Sequence, residues 1–322
     1  MRKAPEGAST IGWIGAGRMG SALISRFLTA GCDISVYNRT RSKAEPLARQ
    51  GARLVDSPAE LADRDIVVTT VAGSEDFFEV ILGPRGLLAD DGRHPAVLID
   101  SSTVSAEVSE RVRAEAARRG TALLAAPVSG NPTVVRSGRL SVVVSGPREA
   151  YERARPYLRL FGSRVTYVGE GERARLVKIC HNLLLGVVTQ SLAEITVLAE
   201  KGGISRADFL DFINGSVMGS LFTRYKTPGL VNLDYSPTFT GHLLRKDFEL
   251  GLDAGRTLNV PLPVATQVHE LLVALVEIGL GDLDFAALLE LEARSAGLTL
   301  RSENRQISDG LEPIGELARE AR

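Results

Sequence analysis

The stretch "TIGWIGAGRMGSAL", residues 10–23, decides how the rest of the chain is read. An apolar run from Ile11 to Ile14 is followed by Gly15, Gly17 and Gly20 in a G-x-G-x-x-G spacing, and an amphipathic segment then begins. Three glycines at that spacing are common in loops; between a strand and a helix each has a physical task. Gly15 allows the tight turn, Gly17 the close approach of a pyrophosphate, and Gly20 the packing of the helix on the strand. The helix start adds unpaired N–H groups aimed at an anion. Ala16, Arg18 and Met19 complete the loop. A dinucleotide is the expected ligand, and Gly15 to Gly20 its cradle.

The end of the next strand reports on the ribose. An NAD-selective site carries an acidic residue about twenty positions past the glycines, bonding the 2′-hydroxyl. The text here is Asn38, Arg39, Thr40, Arg41, Ser42, Lys43, with no carboxylate. A guanidinium at Arg39 suits a 2′-phosphate, so NADP is the preferred cofactor over NAD, with Asn38, Arg39 and Thr40 beside it.

Working outward, "DISVYNR", "DIVVTTVA", "AVLIDSST" and "ALLAAPVS" are short β-branched or apolar runs, separated in several places by amphipathic stretches such as "VSAEVSERVRAEAARRG". That alternation predicts βαβ units and a mostly parallel sheet of the Rossmann type, an α/β domain over residues 1–170. "LSVVVSG" and "RVTYVG" are two further strands around the helix "REAYERARPYLRLFG". Beyond that the strand signals mostly stop. A long connecting helix is expected over 171–201, an all-helical second domain over 202–300, and a polar tail over 301–322 that is disordered or a loosely docked helix.

Composition narrows the class. With 322 residues, 44% hydrophobic and 24% charged, the chain has ample core for two domains. A formal net charge of -1 argues against a general binder of nucleic acid or anionic membrane. Cys32 and Cys180 stand far apart, which suits a reduced, cytoplasmic protein. No spacing of His94, His242 or His269 suggests a metal site. The apolar run from Leu183 to Ala199 is interrupted by Gln190, Ser191 and Glu194, the pattern of a buried helix rather than a membrane span.

Within "LVKICHNLLLG", residues 176–186, Lys178 and Asn182 interrupt a run that otherwise reads as buried helix. Burying an ammonium without a use is costly. Residues four apart share a helix face, so Lys178, Asn182, Gly186 and Gln190 form one polar or small stripe, and Gly186 leaves room above it for a ligand. A hydride delivered to a carbonyl carbon leaves negative charge on oxygen, which Lys178 would neutralise by donating a proton; in oxidation it would act as general base. Asn182 would orient substrate and lysine. His181 is read as a packing histidine and Asp100 as capping or turn chemistry; Arg224 and Lys226 could attract an anionic substrate but are read as a solvated loop.

Five short motifs in this order, the glycine loop, "DSST" at 100–103, "PVSG" at 127–130, Lys178 with Asn182, and "KD" at 246–247, make residues 9–295 resemble the β-hydroxyacid dehydrogenase family. The resemblance implies that Lys178 is the catalytic lysine and Asn182 its substrate-binding neighbour. It implies that Ser129 and Gly130, with the adjoining Asn131, hold a substrate carboxylate. Thr103 would lie beside the nicotinamide, Val71 and Ala72 would touch the cofactor, and Lys246 would reach it from the helical domain. It further implies a small carboxylate-bearing substrate and a homodimer or homotetramer formed through the helical domain.

The chain departs from the family pattern at "SGNPTVVRSG", at Val71-Ala72 in place of Leu-Pro, and at "GEGERARLVK", where Ala174 and Arg175 precede the lysine. Two alternatives stay open: an imine reductase on the same architecture, which typically lacks this lysine, and a non-catalytic NADP(H)-binding protein.

Overall fold

The computed structural model describes residues 9–90 and 92–311. Its two compact units divide after Lys178, inside the first turns of the long helix. In chain order the first unit holds β1 (Ile11–Ile14), α1 (Arg18–Thr29), β2 (Ile34–Tyr37), α2 (Glu45–Ala48), β3 (Arg53–Leu54), β4 (Ile66–Thr69), α3 (Ser74–Leu82), β5 (Val97–Asp100), α4 (Ala106–Arg118), β6 (Ala122–Ala125), β7 (Val128–Ser129), α5 (Pro132–Arg136), β8 (Ser141–Val144), α6 (Arg148–Phe161) and β9 (Arg164–Tyr167), and ends in the start of α7 (Arg173–Lys201).

Strands β1 to β6 form a parallel sheet in the order β3-β2-β1-β4-β5-β6, with Ile14 level with Tyr37 on one side and Thr69 on the other. Successive side chains alternate between faces. Ile14, Val67, Leu98 and Leu123 pack with Phe77, Ile81 and Val112 in one core cluster, while Trp13 meets Phe27 and Phe161 at centroid distances of 5.3 and 5.8 Å. The order reverses between β1 and β4, and in open α/β sheets ligands bind at the carboxyl ends beside that reversal. Strands β7 to β9 do not extend the sheet. They form a separate three-stranded one in which β7 is antiparallel to β8 and β8 parallel to β9.

The second unit contains the rest of α7 together with α8 (Arg206–Gly215), α9 (Leu221–Asn232), α10 (Gly241–Thr257), α11 (Pro263–Glu277) and α12 (Leu288–Ser295). Its core gathers Leu183, Leu192 and Val197 of α7 with Leu244 and Phe248 of α10 and Leu272 and Leu275 of α11. By length and composition α7 is apolar enough to cross a membrane; here one side of it lines this core and Gln190 donates to Glu292 at 3.1 Å. The other side is exposed at Val177, Leu184, Ile195 and Leu198, so the expected buried helix is buried on one side.

Residues 301–311 form no helix. They are tied to the second unit: the fully buried Arg206 donates to the carbonyls of Val231 and Arg301 and pairs with Glu200 at 2.6 Å, while Glu303 accepts from the backbone N–H groups of Arg206 (2.7 Å) and Ala207 (3.2 Å). A carboxylate there caps the positive end of α8. The remainder of the expected tail, 312–322, lies outside the described residues.

Candidate active site

Each glycine of the loop does what its position requires. Gly15 has φ +100°, in the left-handed region, and a Cβ on it would stand 2.3 Å from the Thr70 carbonyl oxygen. A Cβ on Gly20 would lie 2.1 Å from the Gly15 carbonyl oxygen, so the helix seats only because none is there. Around Gly17 the space within 4 Å is open. Gly17 also stands at the N-cap of α1 without a side-chain cap, so backbone N–H groups face that space. These features fit a pyrophosphate. The loop is braced from below: Thr70 Oγ1 accepts from the Trp13 indole (2.9 Å) and donates to the Gly15 carbonyl (2.6 Å).

At the end of β2, Asn38 is a brace for the loop. Its Oδ1 accepts from the Ala16 N–H at 2.7 Å and its amide donates to the Thr40 carbonyl. Arg39 is exposed and pairs with Asp76 in the first turn of α3 at 2.7 Å, and Arg41 pairs with Asp56. Both guanidinium groups are thus in contact with carboxylates at the solvent surface.

The loops after β4 and β5 are knitted together. The Val71 N–H donates to Ser102 Oγ (2.9 Å) and the Ser105 N–H to Ser74 Oγ (3.0 Å), which ties the loop carrying Val71 and Ala72 to the loop carrying Thr103. Asp100 makes the expected turn contact to Ser102 and more besides. It is fully buried, accepts from Thr69 Oγ1 (2.5 Å) and the Ser102 N–H (3.2 Å), and pairs with Arg175 at 2.8 Å.

"SGNP" proves to be a helix start. Ser129 pairs with Ser141 across β7 and β8, Gly130 has φ +134°, and Asn131 Oδ1 caps α5 by accepting from the N–H groups of Thr133 and Val134, both at 3.0 Å. Pro132 follows at the first helical position, where its missing N–H costs nothing. The Asn131 side-chain oxygen is therefore committed to the fold, which leaves its amide N–H groups as the donors a substrate carboxylate would need.

On α7, Lys178 is half-buried. Asn182 is buried and held from two sides: its amide donates to Asp247 Oδ2 at 2.5 Å, and its Oδ1 lies 2.9 Å from His181 Nδ1. The "KD" pair thus supplies a carboxylate to Asn182, with Lys246 Nζ 3.4 Å from the other Asp247 oxygen. Above Gly186 there is no room for a ligand. A Cβ would lie 2.4 Å from the Phe248 ring, so this glycine lets α10 pack on α7. Gln190 likewise bonds within the second unit, and the expected four-residue ligand stripe shortens to Lys178 and Asn182.

Lys226 is not in a solvated loop. It is buried on α9 and pairs with Asp284 at 2.5 Å. Burial pushes the Lys226 ammonium below its ordinary range. Burial pushes the Asp284 carboxyl up, but the Lys226 charge and hydrogen bonds from Thr238 and Ala286 outweigh it and hold the carboxyl below its usual range.

A glycine cradle at the switch point of a parallel sheet, followed by an all-helical unit, defines a Rossmann-type dinucleotide-binding protein. The NAD-binding domain of 6-phosphogluconate dehydrogenase matches residues 10–169, and the NAD-binding domain of NADP-dependent 3-hydroxyisobutyrate dehydrogenase matches residues 172–291. An uncharacterized oxidoreductase of Bacillus subtilis, YfjR, is 34% identical over 86% of this chain and 97% of its own. The chloroplastic glyoxylate/succinic semialdehyde reductase 2 of Arabidopsis thaliana is 30% identical over 88% of this chain and 79% of its own. The solved structure of a 3-hydroxyisobutyrate dehydrogenase from Salmonella typhimurium superposes with a TM-score of 0.80 at 26% identity, over 88% of this chain and 99% of that one. The chain belongs to the β-hydroxyacid dehydrogenase family and is an NAD(P)-dependent oxidoreductase acting on CH–OH groups.

Proposed function

We propose that this chain is an NADP(H)-dependent reductase of small semialdehyde or keto acids, reversible as a hydroxy-acid dehydrogenase, with Lys178 as its acid–base group. The observation that carries the reading is the pairing of Lys178 with an Asn182 anchored by Asp247, four residues on along one helix. When bound, the nicotinamide supplies or accepts the hydride. Lys178 donates a proton to the carbonyl oxygen as charge develops there and retrieves it in the reverse direction. Asn182, fixed by Asp247 and His181, offers its remaining N–H to the same oxygen or to the neighbouring carboxylate. Ser129 and Gly130 bind that carboxylate, and Thr103, Val71 and Ala72 line the nicotinamide side.

NADP is favoured over NAD because no acidic residue stands where a ribose 2′-hydroxyl would be read. An exposed pair such as Arg39–Asp76 contributes only about 0–1 kcal/mol, so a 2′-phosphate displaces the carboxylate at little cost. The match to an NADP-dependent family supports the same choice. The test follows NADPH and NADH oxidation against succinic semialdehyde, tartronate semialdehyde, methylmalonate semialdehyde and glyoxylate. Turnover with at least one acid and a higher kcat/KM for NADPH is expected. Tight NADPH binding without turnover of any acid would overturn the reading.

The partner proposed for α7 follows from its spacing: Val177, Leu184, Ser191 and Leu198, seven residues apart, are all exposed. A seven-residue repeat is what a facing helix selects. The proposed occupant is a second copy of the chain, and light scattering should give twice 34.5 kDa. Leu184→Glu should give the single-chain mass; a parent that is already single-chain would refute the dimer.

A further inference from the structure

Arg175 departs from the family pattern one turn before Lys178, and the fold gives it a specific set of partners. It is buried, and its guanidinium makes three directed bonds: Nη2 to Asp100 Oδ2 (2.8 Å), Nη1 to the Ser102 carbonyl (3.1 Å) and Nε to Glu172 Oε2 (2.8 Å). The Phe77 ring lies beneath it at 5.8 Å. Asp100 and Ser102 belong to the loop that carries Thr103, and Ser102 passes the constraint on to Val71 through its hydroxyl. On the other side Glu172 pairs with Arg113, which also donates to the carbonyls of Leu123 and Gly171. Charges alternate along Arg113, Glu172, Arg175 and Asp100, so the network buries no net charge.

We propose that Arg175 is a positioning residue for the hydride step, setting the register of the helix turn that bears Lys178 against the 100–103 loop. The inference rests on the acid–base reading of Lys178. Three residues along a helix span about 4.5 Å, so a small tilt or slide of this first turn moves the ammonium directly. Stability alone does not call for such a network, because apolar residues of similar volume commonly stabilise a core as well as a buried ion pair does. What they lack is direction. A planar guanidinium fixes three acceptors at set angles, which neither an apolar side chain nor a lysine reproduces.

The test compares the parent with Arg175→Lys, Arg175→Met and the charge-neutral pair Arg175→Met/Asp100→Asn, in which the asparagine oxygen still accepts from Thr69 and Ser102. The readouts are melting temperature, NADPH affinity by fluorescence, kcat and KM for the best acid substrate, and the isotope effect on kcat with 4-deuterated NADPH. A displacement on the order of 1 Å costs about 100-fold in rate, so the folded double variant should lose roughly 30- to 100-fold in kcat. Its NADPH affinity should stay close to that of the parent, and its isotope effect should rise as hydride transfer becomes rate-limiting. Arg175→Lys should recover the melting temperature but not kcat.

Parental kcat and isotope effect in either the double variant or Arg175→Lys would overturn the proposal and leave Arg175 a structural residue. Lys178→Ala in the same assay separates the two failures. If it retains turnover, the acid–base reading has failed; if it is inactive while the Arg175 variants are not, only the positioning role has.

Discussion

Arg175 and Arg206 are both buried arginines in the first turn of a helix, and they hold different things. Arg175 joins its helix to the loop carrying Thr103, through Asp100 and the Ser102 carbonyl. Arg206 joins its helix to the segment beginning at Arg301, through Glu200 and the Val231 and Arg301 carbonyls. The chemistry is the same, a guanidinium desolvated against carboxylates and carbonyls. What lies at the far end differs: in one case residues proposed for the reaction, in the other a strap over the helical unit. Burial and pairing alone therefore do not mark a functional residue.

Three predictions bear on that comparison. Arg206→Met leaves Glu200 without its guanidinium and should cost about 3–5 kcal/mol, measured by denaturant unfolding. Its strap should become open to proteolysis while the folded protein keeps the parental kcat. A kcat loss as steep as that of the Arg175 variants would mean that turnover tracks general loosening, and the contrast would collapse.

A smaller effect is expected at low pH. The Asp284 carboxyl is held below its ordinary value of 3.8, so its share of stability is present above that pH and is lost as pH falls further through the folded-state value. Asp284→Asn should flatten this acid limb in an unfolding series between about pH 5 and 2; an unchanged slope would count against the pair. The smallest change is expected for Glu303→Gln, which keeps the acceptor at the start of α8 but removes its charge. A loss of about 0.3–1 kcal/mol is the size of such a helix-terminus effect, and a loss as large as that of Arg206→Met would show that the strap is held by Glu303 instead.

The glycine loop and the parallel sheet were legible because their causes are local. Gly15, Gly17 and Gly20 each answer a constraint within one turn, and βα alternation is written in periodicity. That Lys178 and Asn182 lie one turn apart on a single helix was legible from the helical periodicity. The rest depends on partners far away in the chain. Arg175 finds Asp100 across 75 positions, Asn182 finds Asp247 across 65, and Lys226 finds Asp284 across 58. No periodicity encodes such pairings, so Lys226 reads as solvated, and Asp100 shows only its turn contact to Ser102 and not its ion pair. Gly186 shows the same limit: a missing side chain signals either space for a ligand or space for a neighbour, and Phe248 settled it. Asn131-Pro132 was readable as a cap followed by a first helical residue; reading it only against the family's glycines hid that.

The most direct measurement is single-turnover oxidation of pre-bound NADPH, at saturating substrate, by the parent and by Lys178→Ala. The account predicts that the variant binds NADPH as the parent does and transfers hydride about 10²- to 10⁴-fold more slowly, the usual weight of a positioned acid–base group. Hydride transfer at the parental rate without Lys178 would contradict it.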